Sequence, residues 1–94
     1  SERFNGIISK IDENLSFVLQ SLYSEDIREE KPNLDEVISF EKQLPRFESE
    51  HVNLSADTNS AQKRNHQEEQ LIWEQLSWLF SLSSNMLKLT SNLK

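Results

Sequence analysis

Between Leu71 and Leu93 the chain carries large apolar side chains on more than one side of a helical wheel. Leu71, Ile72, Trp73, Leu76, Trp78, Leu79, Phe80, Leu82, Met86, Leu87, Leu89 and Leu93 all fall there, and both tryptophans are among them. A helix at the edge of a small domain needs one apolar stripe, whereas a helix that is apolar nearly all round is buried from several sides. A chain of 94 residues makes one domain at most, with few elements to surround such a helix. The segment therefore predicts a central helix that takes part of its cover from other chains.

The remaining composition points to helices. One glycine and two prolines leave little material for turns, which argues against a β fold. Charged residues reach 28% and aromatics 9%, too apolar for a disordered chain yet polar enough that any core is narrow.

The cleanest helix comes first. Phe4, Ile8, Ile11, Leu15, Val18 and Leu22 recur at alternating steps of four and three, an unbroken heptad rhythm. Ile7 and Leu19 widen the stripe on either flank. The pattern fits a helix over about 2–24, either within a single-chain bundle or as a coiled-coil strand. Gly6 weakens its first turn or lets another helix approach closely.

An acidic linker is expected over 25–33. Residues 25–50 hold nine acids against four bases, a net of −5 out of the chain's −6. A short helix is expected over 34–44, with Asn33 as N-cap and Glu36 at the third helical position. Leu34, Val37, Ile38, Glu41 and Leu44 line one face with Phe40 adjacent, and Pro45 is expected to end the helix or open another segment. Residues 45–60 read as an irregular or partly helical connector. A long helix follows over about 61–92, its polar opening with Ser60 as N-cap. It carries the heptad series Ile72, Leu76, Leu79, Ser83, Met86, Thr90, Leu93, with Trp73, Phe80 and Leu87 running beside it.

No residue set suggests catalysis, a cofactor or a metal. Without cysteine there is no disulfide scaffold, thiolate zinc site or thiol nucleophile. Glu48 and His51 form one ExxH spacing, but carboxylate-bridged metal bundles need two. No serine sits in a nucleophile motif, and one glycine cannot build a phosphate-cradling loop. The acidic balance excludes the basic face that duplex nucleic acid or an anionic membrane requires. Residues 71–90 have the length of a membrane span, but Glu74, Gln75, Asn85 and Lys88 interrupt it. No secretory pattern is visible in the opening residues. Asn14-Leu15-Ser16 and Asn53-Leu54-Ser55 match the glycosylation sequon, a tripeptide common by chance in such a chain.

The sequence thus predicts an all-α fold, a helical hairpin or small bundle of two long helices plus a short middle helix, with coiled-coil-like packing. The expected seam runs through Phe4, Ile8, Ile11, Leu15, Val18 and Leu22 against Ile72, Leu76, Leu79, Met86 and Leu93 in antiparallel sense. The expected function is that of a non-enzymatic structural or adaptor subunit in a larger helical complex. Its interface would draw on Trp73, Leu76, Trp78, Leu79, Phe80, Leu82, Met86 and Leu87 together with the first-helix stripe, with Trp73, Trp78 and Phe80 as anchors. The partners would be other helical proteins, in a hetero-oligomer rather than a homo-oligomer, inside the cell in the cytoplasm or nucleus. A self-contained bundle that binds peptides or ligands, and a membrane-associated hairpin, stand as alternatives. In general shape the chain resembles small acidic coiled-coil subunits of kinetochore, tethering and transcription-coactivator assemblies, a resemblance of helical pattern alone.

Overall fold

The computed structural model describes residues 2–23, 31–52 and 60–92; the side chains of Arg3, of residues 45–52 and of Ser60 lie outside that description. Among the described residues three helices follow in order: α1 Glu2–Tyr23, α2 Leu34–Val52 and α3 Ser60–Ser91. The fold is all-α, two long helices packed together with a shorter one between them in sequence. α3 is the central element and packs against both others.

The two long helices run parallel, not antiparallel. The rings of Phe4 and Trp73 stack with centroids 6.0 Å apart. Asn14 reaches Ser83 by a 3.1 Å hydrogen bond. Both contacts join residues 69 apart in sequence. The same offset sets Ile7 beside Leu76, Ile11 beside Phe80, Val18 beside Leu87, and Ser21 beside Thr90. These twelve positions follow steps of three and four on each helix, and all are buried or half-buried.

α2 runs in the opposite direction and packs mainly on α3. Its start, at Asn33 and Glu36, borders Asp12, Glu13 and Ser16 of α1. Further along, Ser39, Phe40 and Gln43 border Lys10. Val37 and Leu44 enter the core, Phe40 meets Phe80 edge-on at 5.0 Å, and Glu41 accepts hydrogen bonds from Ser84 and Lys88. α2 thus runs opposite to both long helices, which leaves α3 parallel to α1.

α2 begins as its sequence requires. Asn33 Oδ1 accepts from the backbone N–H of Asp35 at 2.9 Å and of Glu36 at 3.3 Å, satisfying donors that a helix start leaves open. It does not stop before Pro45, however, but runs on to Val52. The proline ring lacks the one N–H that would bond the carbonyl of Glu41, but its fixed φ is itself helical. Val37 and Leu44, buried on α3, hold the turns ahead of it. Ser24, residues 25–30 of the acidic linker and 53–59 of the connector lie outside the described residues, and with them Asn53 of the second sequon.

Polar side chains inside the bundle are short and mostly self-satisfied. Ser77, Ser83, Thr90 and Ser91 each donate to a carbonyl three or four residues back, at 2.8 or 2.9 Å. This lets a helix interior accept hydroxyls without unmade bonds. Their small size brings α1 and α2 close to the ridge formed by Trp73, Phe80 and Leu87, all fully enclosed.

Gly6 marks no close approach: a Cβ built there meets nothing within 4 Å. Asn14, the first sequon's asparagine, is buried in the α1–α3 seam, where no glycan could be attached to the folded chain.

Candidate protein-interaction surface

Among the described residues, α3 has neighbours on two of its sides only. Ser83 points to α1, while Ser84 and Lys88 point to α2. The opposite side of the wheel carries Leu71, Trp78, Leu82 and Leu89, all exposed, with Gln75 and Asn85 between them. Beyond Ser83, on the edge away from α2, lie Ile72, Leu79 and Met86, seven residues apart and also exposed.

α1 presents a matching edge. Lys10 marks its α2 side. Ile8, Leu19 and Leu22 are exposed on the other flank, with Leu15 half-buried among them. Under the parallel register this stripe runs alongside Ile72, Leu79 and Met86. The two edges border one apolar groove on the face that α2 does not cover. Fully burying a leucine- or isoleucine-sized side chain stabilises by about 1.5–3 kcal/mol, so leaving this many half-open forfeits much of what a domain this small can gain. Contiguous apolar exposure of that kind marks interaction surfaces.

The expected interface residues divide cleanly. Trp73, Phe80, Leu87 and Val18 are enclosed by the chain's own helices and are closed to any partner of the folded protein. Trp73 and Phe80 are therefore core residues, not anchors. Phe4, Ile11 and Leu76 are half-buried against that core. Ile8 and Leu22, expected in the seam, face solvent, as do Ile72, Leu79 and Met86. The remaining anchor, Trp78, is 72% exposed, against 0% for Trp73. Leu93 lies outside the described residues.

Residues absent from the expected seam fill it. Ile7 and Phe17 are buried, and so are Asn14 and Ser21. A signal was available: 7, 14 and 21 repeat every seventh residue, as do 73, 80 and 87. Asn14 and Ser21 hid it, because polar residues weigh against a core assignment.

The surface offers little for other chemistry. Among the described residues no group of three or more His, Asp or Glu side chains lies together as a metal site. The ExxH pair of Glu48 and His51 falls where side chains are not described. No described helix is long and apolar enough to cross a membrane. Comparison with protein-family models, with curated proteins and with solved structures finds no match to this chain.

Proposed function

We propose that this protein is a non-enzymatic structural or adaptor subunit of a larger helical assembly, binding its partners by helix-on-helix packing. The observation that carries this reading is the apolar groove between Ile8, Leu19 and Leu22 of α1 and Ile72, Leu79 and Met86 of α3. Parallel helices with a third on one face leave the other face shaped for one more helix. An amphipathic helix laid there recognises the groove through residues spaced three and four apart. The partner is a helical protein of another kind, and neither nucleic acid nor a membrane is needed to complete the site. A chain without cysteine suits a reducing compartment, so the assembly is placed in the cytoplasm or nucleus.

The test is capture of partners from the native source by the wild-type chain, by Ile8→Glu and by Leu19→Glu, followed by reconstitution with the purified partner. Both substitutions place a charge in the groove at positions that are exposed in the free chain, so the fold survives. The reading requires loss of at least about tenfold in affinity, or 1.4 kcal/mol, for each. A helical partner that binds both variants as well as the wild type would refute it.

A further inference from the structure

We infer that the outer face of α3 pairs antiparallel with α3 of a second copy of this chain. The exposed stripe Leu71, Gln75, Trp78, Leu82, Asn85, Leu89 steps by four and three along α3. It also reads alike in both directions about Phe80. Leu71 and Leu89 lie nine residues to either side, Gln75 and Asn85 five, Trp78 and Leu82 two. A two-fold axis near Phe80 thus sets leucine against leucine, amide against amide, and each indole against a leucine. This is the self-complementarity that an isologous interface demands.

The rims select the antiparallel sense. On one edge of the stripe stand Glu74, Ser81 and Lys88; on the other stand Ile72, Leu79 and Met86. Antiparallel helices bring equivalent edges together. Glu74 then meets Lys88 of the second copy at both ends, and the apolar edge meets its own equivalent. Lys88 keeps donors free for this beyond its 3.4 Å contact with Glu41. A parallel pair would instead set Glu74 against Leu79 and crowd two indoles into one layer between narrower ones. The exposed parts of Leu71, Trp78, Leu82 and Leu89 amount to roughly 500 Å² per copy, so pairing buries up to about 1,000 Å² before the rims are added, which reaches the threshold of a specific interface. The α1 stripe of Ile8, Leu19 and Leu22 stays outside this contact. The pairing therefore shares with the proposed partner site only the α3 edge of Ile72, Leu79 and Met86, and a substitution on the α1 stripe tells the two apart.

The chain has no cysteine of its own, which makes orientation directly readable. Full-length Leu71→Cys and Leu89→Cys chains, both altered at exposed sites, are mixed in a glutathione redox buffer. The antiparallel pair gives a disulfide between position 71 of one chain and 89 of the other, in at least about tenfold excess over either homodimer, because only those thiols come within bonding reach. Trp78→Ala weakens dimerisation at least about tenfold in sedimentation equilibrium. Ile8→Glu leaves the cross-link yield unchanged. Predominant 71–71 or 89–89 products would overturn the orientation. A monomer mass at roughly 100 μM would overturn the pairing itself. Loss of the cross-link in Ile8→Glu would assign the contact to the groove and also refute the proposal.

Discussion

Asn14 of α1 donates its side-chain amide to Ser83 Oγ of α3 at 3.1 Å, and each residue is only 1% exposed. The bond fixes one polar layer inside an otherwise largely apolar seam. A slip of one heptad toward the start of α3 would face Asn14 with Leu76 and leave its amide unpaired. Single buried polar residues set register in this way in paired helices. The contact is also finely balanced, since Asn14 Oδ1 has no partner among the described residues. Ser83→Ala should therefore cost about 2 kcal/mol, the penalty for stranding a buried amide. Adding Asn14→Leu, which keeps the branched shape, should return at least half of that loss. Urea unfolding of the two singles and the double decides it. Losses that simply add would show that the two side chains do not interact.

The two tryptophans should behave oppositely. Trp73 is enclosed and stacked on Phe4, so Trp73→Ala should cost about 3–5 kcal/mol, a large share of a small domain's stability and enough to lower the helix content or the melting temperature visibly. Trp78→Ala should change the stability of the dilute chain by no more than about 0.5 kcal/mol. Far-ultraviolet circular dichroism at low micromolar concentration separates the two. Comparable loss of helix from both substitutions would mean that Trp78 is part of the fold.

Gly6 lies within α1 with open space where a Cβ would stand. Gly6→Ala should raise stability by about 0.5–1 kcal/mol through helix propensity and a less disordered unfolded chain. Thermal melting reads the gain directly. A lower melting temperature would place another element against that face of α1.

Asn33 caps α2 with one oxygen serving two backbone donors. Asn33→Ala should cost about 1 kcal/mol, while Asn33→Asp should cost much less because the acceptor is kept. Equal losses from both, measured by chemical denaturation, would remove the cap from the account of why α2 starts there.

Much of the fold is legible in the residue order. The helical class, the α1 rhythm, the Asn33 cap and the crowded α3 all follow from spacing and side-chain type. Rotation and direction do not. Each long helix carries two overlapping heptad series, and apolar content favours Ile8, Leu15 and Leu22 over Ile7, Asn14 and Ser21. The structure chooses the second set because α1 has two neighbours and turns its buried face between them, with Phe17 on the same side. α3 does likewise, centring Trp73, Phe80 and Leu87 between α1 and α2. Part of each stripe that reads most clearly as a seam is thus left facing water, Ile8 and Leu22 on α1 and Ile72, Leu79 and Met86 on α3, while Phe4, Ile11, Val18 and Leu76 stay within it. The parallel sense was hidden for a related reason. Nothing local to α2 reveals that it continues through Pro45 and carries the chain back. Within the candidate surface, Trp78 and Leu82 stand out in the sequence as surplus apolar residues, but only the packing separates them from Trp73 and Phe80.

The account rests on α1 and α3 lying side by side in the same direction, with their far ends at Tyr23 and Asn92 together. Spin labels at cysteines placed at 23 and 92, and at 23 and 67, test this by pulsed electron resonance, with unlabelled chain in excess. All three positions are exposed. The parallel arrangement gives a 23–92 distance below about 20 Å and a 23–67 distance longer than it, since residues 67 and 92 are roughly 37 Å apart along the helix. A short 23–67 distance with a long 23–92 distance would mean an antiparallel hairpin, and the buried ridge, the open groove and the α3 pairing face derived from the parallel register would fall with it.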